Sequence, residues 1–194
     1  MKCRTPWLLV LQGFLLAGCA RVPLAPPQPS MANLEVLQAV TIAPVNVGQF
    51  VLADGKPAEM DKVLSVRGNA VYSPIDDSFA QFLKESLVTE LRTAGKYDPA
   101  APTVVRGWLT ENRMEAGGME GNRAFLGARF AVNHGEQVVY DKELAAQARW
   151  DADFAGVSAV PAAINEYTML FRKLLGQLFA DEDFRKATQP ARKP

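Results

Sequence analysis

The segment from residue 103 to residue 150 constrains the fold most, because it contains three long β-strand candidates in succession. Residues 103–112, 122–133 and 137–150 alternate apolar with polar side chains over much of their length. Two turn signals separate them: the glycine-rich segment 116–121 (AGGMEG), and the segment 133–136 (NHGE), which suits a tight turn with a positive φ angle. The pattern predicts an antiparallel three-stranded meander.

One face of this predicted sheet is mainly apolar and the other is mainly polar, which is typical of an antiparallel sheet that packs on one side only. We expect the apolar face to pack against helices and to carry Val104, Gly107, Leu109, Phe125, Ala128, Phe130, Val132, Val139 and Leu144. We expect the open face to carry Arg106, Thr110, Arg123, Arg129, Lys142 and Gln147.

Two amphipathic helices are predicted to cover the apolar face. The first begins at Ser78, where a Ser-x-x-Gln capping box with Gln81 can satisfy free backbone N–H groups, and it ends near Gly95. Its apolar positions recur every four residues, at Phe79, Leu83, Leu87 and Leu91. The last helix begins at Pro161, and Asp181 is predicted to cap one further short turn through Phe184.

A further strand is predicted before the first helix, over residues 35–47, where β-branched residues are dense. The order strand, helix, three-stranded meander, helix predicts an α+β fold. We expect a two-layer sandwich in which a largely antiparallel sheet of about four strands carries two helices on one face. It forms one domain over residues 35–186, followed by a flexible tail over residues 187–194.

Two short regions are candidate binding surfaces. Within the stretch 48–73, where we expect short strands, the segment 64–72 brings Arg67, Asn69 and Tyr72 close together. They either line a groove or form a simple strand with a solvated face. Met114 lies just before the glycine-rich turn and Met119 lies within it. Adaptable thioether side chains there suit a protein or lipid contact, and ordinary packing under the hairpin is the alternative.

The N-terminal segment has the layout of a secretory signal peptide. Lys2 and Arg4 precede an apolar run over residues 7–18, which is shorter than the about 20 residues that a membrane-spanning helix needs. The run ends in Leu16-Ala17-Gly18-Cys19, which resembles the lipobox of bacterial lipoproteins. This resemblance implies removal of residues 1–18 and acylation of Cys19. The alternative is an ordinary cysteine in a signal peptide that is cut at a nearby alanine.

An acylated Cys19 would determine where the protein resides. Residues 19–34 then form a lipidated cysteine followed by a Pro-rich linker of polyproline character, which spaces the domain from the membrane. Among bacterial lipoproteins, Ala20 rather than Asp after the cysteine implies sorting to the outer membrane, with the domain facing the periplasm. Cleavage removes Cys3, the other cysteine of the chain, so the mature protein has no intramolecular disulfide.

The residue types offer little for catalysis or cofactor binding. The chain contains 1 His, His134, which lies at a predicted hairpin tip and is not part of a nucleophile motif, so we predict that the protein is not an enzyme. The acidic segments 151–153 and 181–183 lack the spacing of calcium loops, and the glycine-rich turn lacks the Lys-Ser/Thr of a phosphate-binding loop. We therefore expect neither metal nor cofactor. The 21 basic residues are balanced by 21 acidic residues and form no basic stripe, so nucleic acid is not an expected partner.

Several segments together suggest a family. The lipobox, the strand containing Val40 to Val45, the helix SFAQFLKESLVTELRTAGKYDP, the segment VVYDKELAAQARW and a final helix ending LLGQLFADEDF resemble uncharacterised proteobacterial outer-membrane lipoproteins. More distantly, they are similar to the auxiliary lipoproteins of ABC-type envelope transport systems. The resemblance covers most of the mature chain, and its motifs are structural rather than catalytic.

The tether, the compact α+β domain and the lack of a catalytic motif predict a membrane-anchored, non-enzymatic binding or assembly component with an envelope protein as its partner. The resemblance implies that this component is auxiliary to an envelope transport system. A carrier that holds a lipid or another apolar small molecule between the helices and the sheet is the alternative. The sequence pattern leaves the oligomeric state open, because the edge strands of an open sheet can either pair or be covered.

Overall fold

The computed structural model describes residues 21–118, 121–151 and 159–190. In chain order, its elements are β1 (Arg21–Pro23), α1 (Met31–Ala39), β2 (Asn46–Leu52), a short 3₁₀ helix (Ala58–Asp61), β3 (Leu64–Val66), β4 (Asn69–Tyr72), α2 (Phe79–Thr93), β5 (Thr103–Gly118), β6 (Gly121–His134), β7 (Gln137–Trp150), α3 (Ala159–Ala180) and α4 (Glu182–Ala187).

The strands form two mixed sheets. The larger sheet has the order β2-β5-β6-β7, with β2 parallel to β5, β5 antiparallel to β6 and β6 antiparallel to β7. The smaller sheet has the order β1-β4-β3, with β1 parallel to β4 and β3 antiparallel to β4. The predicted α+β fold is confirmed, and the larger sheet matches the expected four-stranded, largely antiparallel sheet.

The core lies between the larger sheet and the helices α2 and α3. The two helices contact each other through edge-to-face aromatic pairs, with ring centroids 4.8 Å apart for Phe82 and Phe171 and 5.8 Å apart for Phe79 and Tyr167. Below them, the ring of Phe50 on β2 packs edge-on against that of Phe130 on β6. These side chains are almost completely buried, so the helices and the sheet share one apolar core.

The predicted helix starts at Ser78 and Asp181 are confirmed, whereas α3 begins at Ala159, two residues before the predicted Pro161. The Ser78 Oγ accepts a hydrogen bond from the Gln81 N–H (3.2 Å), as expected for an N-cap. The Gln81 side chain, however, donates to the Phe50 carbonyl (2.6 Å), so it ties α2 to the sheet. Asp181 caps α4 by accepting from the N–H groups of Asp183 and Phe184.

The strand predicted over residues 35–47 is wrong, because α1 occupies Met31–Ala39 and the strand begins only at Asn46. Ser30 is the N-cap of α1, and Leu34 and Leu37, three residues apart on one helical face, are buried. Helical contacts with α2 and α3 therefore outweigh the β propensity of this segment.

The segment predicted as a linker also differs in the structure from residue 21 onward. Arg21–Pro23 form a strand beside β4, and Leu24 is 2% exposed, so this segment is packed onto the domain rather than extended away from it. Residues 21–34 therefore belong to the folded unit, which starts before the predicted boundary at residue 35. At the other end, Ala187 and Thr188 are buried, so the tail begins later than predicted.

Three predicted side-chain orientations in the larger sheet are also wrong. Val105 rather than Val104 is fully buried against the helices, because it has the same strand parity as Gly107 and Leu109. Phe125 lies on the open face, where the Arg113 guanidinium covers its ring. Lys142 pairs in register with the buried Phe130, and its ammonium reaches Asp181 at the start of α4.

Candidate functional site

The candidate residues of the smaller sheet lie on one hairpin, formed by β3 and β4. Arg67 (φ 49°) and Gly68 (φ 78°) form its turn in left-handed backbone conformations. The Asn69 amide donates to the carbonyls of Val66 (3.2 Å) and Arg67 (3.3 Å), so it stabilises the turn itself. The Tyr72 ring lies under the Arg21 guanidinium, 4.6 Å from its carbon.

The structure does not gather all the candidate residues into one site. Met114 belongs to β5 of the larger sheet, opposite Ala124, and it packs half-buried against the core, which agrees with the packing interpretation. Met119 and Cys19 lie outside the residues that the structure describes.

The open face of the larger sheet carries a network of arginines, aromatic rings and carboxylates, which we call the open-face network. It comprises Trp108, Glu111, Arg113, Glu115, Arg123, Phe125, Arg129 and Asp141. These residues lie on β5, β6 and β7, so the pleat of the sheet fixes their spacing.

One half of the open-face network is centred on Arg129. Its guanidinium forms two hydrogen bonds with the Asp141 carboxylate, one of 2.6 Å from Nε to Oδ1, and it lies 5.5 Å from the Trp108 ring centroid. The hydrogen bond from Arg129 lowers the pKa of the Asp141 carboxyl. The Arg129 side chain is still 54% exposed, so it remains accessible to a partner.

The other half is centred on Arg113, whose guanidinium carbon lies 3.6 Å above the Phe125 ring centroid. Arg113 forms ion pairs with Glu111 (2.9 Å) and with Glu115, and Glu115 also pairs with Arg123 (2.8 Å). Arginines held over aromatic rings by ion pairs lose little further freedom on binding, and arginine and aromatic side chains dominate binding energy at protein interfaces. The network therefore suits recognition of a protein surface.

The described residues contain no group of three or more side chains that could hold a metal ion. His134 lies at the turn between β6 and β7, and its Nε2–H donates a hydrogen bond to the Ala187 carbonyl (2.9 Å). His134 thus fastens the C-terminal helix to the sheet.

An open groove lies between α1, α3 and the end of β7. Its volume is about 310 Å³, near the lower end of small-molecule sites, and Ala32, Ala148, Met169 and Leu170 supply its apolar lining. Glu166, Arg172 and Lys173 contribute polar groups. The gap between α2 and α3 beneath Pro27 and Gln28 holds only about 10 Å³, so the groove at α1 offers more room for a ligand.

A buried carboxylate that the sequence analysis did not single out fastens the N-terminal segment. Glu90 on α2 is 1% exposed and accepts hydrogen bonds from the Ser30 N–H (3.0 and 3.1 Å) and the Asn33 side-chain amide (2.9 Å). Burial raises the pKa of Glu90 despite these donors. Glu90 lies four residues after Ser86 and eight after Phe82, which are both buried. This helical spacing is the sequence signal that could have placed Glu90 on the buried face.

Fold and surface together define a small α+β domain with a structured open sheet face. It is similar to the crystal structure of protein XCC0632 from Xanthomonas campestris, of family DUF330, with 15% sequence identity and a TM-score of 0.50 over 83% of this chain and 92% of that chain. A solved structure described as an uncharacterized protein shares 11% identity, with a TM-score of 0.50 over 82% of this chain and 99% of that chain. At such identities these likenesses establish the fold alone.

No family model matches the sequence, and no curated protein matches it. None of the helices in the described ranges is both long and apolar enough to cross a membrane.

Proposed function

We propose that this protein is a lipoprotein of the bacterial outer membrane that acts as a non-enzymatic binding or assembly component, with the open-face network as its contact surface for an envelope protein. The observation that carries the proposal is the pair of arginine stacks, Arg129 on Trp108 and Arg113 on Phe125, displayed on one half-exposed sheet face. An auxiliary role in an envelope transport system is the setting that the sequence resemblance supports.

The membrane anchor in this proposal depends on Cys19 and its lipobox. The test is fractionation of cells that express the full chain or its Cys19→Ala variant, with metabolic fatty-acid labelling of both. We expect the native chain to carry the label and to fractionate with the outer membrane, and the variant to lose both. Unlabelled native chain in the soluble fraction would exclude the anchor.

The contact surface is tested separately, by crosslinking in intact envelopes at native expression. Trp108→Ala and Arg129→Ala should each remove the same crosslinked partner band, because they break one stack from its two sides. Arg92→Ala is the matched control, since Arg92 also lies over an aromatic ring, that of Tyr97, but on helix α2. A partner band that survives both open-face variants would rule out this surface as the contact.

A second candidate function is favoured by the groove at α1, which suits part of a lipid chain or another apolar small molecule. Native mass spectrometry of protein extracted without detergent should then show a bound mass, and Met169→Trp, which fills the groove, should abolish it. A mass spectrum of the apo protein alone would exclude this carrier role.

A further inference from the structure

The first described strand determines where the chain enters the domain. Arg21 pairs with Ala70, Val22 with Val71 and Pro23 with Tyr72, in parallel. The N-terminal end of β1 therefore lies beside the start of β4, which directly follows the turn at Arg67 and Gly68. The chain before Arg21 must join the domain close to this turn, which we call the β3–β4 turn.

Little chain is left between this turn and the proposed anchor. Cys19 precedes Arg21 by two residues, and a fully extended chain spans at most about 3.6 Å per residue, so the two Cα atoms lie within roughly 7 Å of each other. The headgroup layer on each side of a bilayer has a similar thickness, about 6 Å. An acylated Cys19 would thus hold Arg21 at the headgroups.

The N-terminal segment has several attachments that prevent it from acting as a spacer. The Leu24 N–H donates to the Tyr72 carbonyl (3.0 Å), which extends the pairing with β4, and the Leu24 side chain is buried. Further along, the Ser30 N–H is held by the buried Glu90 carboxylate. Lengthening the tether would require breaking the pairing of β1 with β4 and exposing the Leu24 side chain, and the Ser30 contact limits how far the segment can detach.

We propose that the β3–β4 turn, together with Arg21, rests against the phospholipid headgroups of the membrane that holds the acylated Cys19. This inference rests on the proposed lipid anchor and adds the orientation of the domain. The guanidinium groups of Arg21 and Arg67 are chemically suited to phosphate oxygens, and the Tyr72 ring beside Arg21 is suited to the interfacial layer.

Charge attraction alone does not explain the contact, because Arg21 also pairs with Asp77 (3.6 Å) and Asp76 is exposed nearby. Instead, the lipid tether keeps the β3–β4 turn at a high local concentration near the headgroups. The contact should therefore disappear when Cys19 cannot be acylated.

The experiment is photo-crosslinking in cells that express the full chain with benzoylphenylalanine at one chosen position. Ser65 is the test position, since its side chain is exposed on β3 three residues before Gly68, and Gly68 itself has a positive φ that disfavours a side chain. Arg21, with 67% of its side chain exposed, is a second test position in case the first variant folds poorly.

Glu136 is the matched control, because it is exposed in the turn between β6 and β7, beside the start of β5. The smaller sheet lies farther along β5, near Asn112, whose side-chain amide donates to the Met60 carbonyl just before β3. Nine residues separate Thr103 from Asn112, which corresponds to roughly 30 Å along a strand.

We expect phospholipid adducts, detected by mass spectrometry, at Ser65 and Arg21, several-fold fewer at Glu136, and none in the Cys19→Ala background. Fatty-acid labelling of the same samples separates the two proposals. Labelled protein without adducts at either test position, or with equal adducts at Glu136, would overturn the orientation and leave the anchor intact. Absence of the label would overturn both.

Discussion

Two buried tyrosines differ in whether their hydroxyl groups have partners. The Tyr167 hydroxyl donates to the Asn112 side-chain oxygen (2.7 Å) in the core, and Asn112 in turn donates to the Met60 carbonyl (2.8 Å). Among the described residues, the buried Tyr140 hydroxyl finds no hydrogen-bond partner. Burial raises the pKa of Tyr140 to about 12, so its phenol stays neutral at physiological pH.

The matched substitutions Tyr167→Phe and Tyr140→Phe should therefore have unequal effects. We expect Tyr167→Phe to lower the free energy of unfolding by about 1–2 kcal/mol, because it leaves the Asn112 oxygen unpaired in the core. Tyr140→Phe should change it by less than about 0.5 kcal/mol, or raise it, because an unpaired buried hydroxyl contributes nothing. Urea denaturation of both variants measures the difference, and equal losses would contradict this assignment.

Glu90 should make stability depend on pH. Burial raises its pKa in the folded state above the ordinary 4.5, although the nearby Arg172 opposes the shift. Between these two pKa values the folded protein keeps a proton that the unfolded chain releases, so this contribution to stability falls as pH rises from about 4.5 toward neutrality.

Glu90→Gln should abolish that dependence. The free energy of unfolding of the native chain relative to Glu90→Gln should be higher at about pH 5 than at about pH 8. Glu85→Gln, at a half-exposed position of the same helix, is the matched control for the exchange of Glu for Gln. A relative stability that increases with pH would mean that the donors Ser30 and Asn33 outweigh burial.

At the scale of elements, the contact between β2 and β5 depends on a glycine. A Cβ atom at Gly107 would lie 2.3 Å from Cε1 and 2.5 Å from Cδ1 of the Phe50 ring, which fills the space above this residue. We expect Gly107→Ala to destabilise the protein by about 2 kcal/mol through overpacking. Combining it with Phe50→Leu should recover part of the loss in a double-mutant cycle, whereas strictly additive losses would show that the ring is not the obstacle.

The elements that the sequence predicted correctly are those with a local periodic signal. Strands β5, β6 and β7 and helices α2 and α3 each combine a long apolar period with a cap or turn. Helix α1 was missed because only Leu34 and Leu37 mark its buried face, and because the neighbouring valines favour a strand. Strand β1 exists through its pairing with a strand almost fifty residues away, which local patterns do not encode.

The open-face network shows the same difference between what local patterns predict and what depends on contacts between strands. Alternation along the strands predicted correctly that Arg106, Arg123 and Arg129 lie on the polar side of the sheet. It did not predict the stack of Arg129 on Trp108, since that contact depends on the register between β5 and β6. Hairpin register follows from turn geometry, and the glycine-rich sequence between these strands fits several turn types.

At the scale of the whole molecule, the N-terminal segment is part of the core. It contributes the buried side chains of Leu24, Leu34 and Leu37 and supplies the donors for the Glu90 carboxylate. Each such leucine contributes roughly 2 kcal/mol by burial. A boundary at residue 35 removes two of them, Leu24 and Leu34, which together contribute roughly 4 kcal/mol. This is a large share of the roughly 5–15 kcal/mol by which domains are stable, so a domain that starts at residue 35 should be much less stable.

We therefore expect a chain that covers residues 21–190 to unfold cooperatively in urea, and a chain that covers residues 35–190 to show a much weaker transition. The shorter chain loses Leu24 and Leu34 and leaves the buried Glu90 carboxylate without its donors. Leu37→Ala in the longer chain gives a graded version of the same loss, expected to be about 2–5 kcal/mol because Leu37 is fully buried. Equal midpoints for the two chains, with a negligible effect of Leu37→Ala, would mean that the segment from β1 to α1 only rests on a domain that is stable without it.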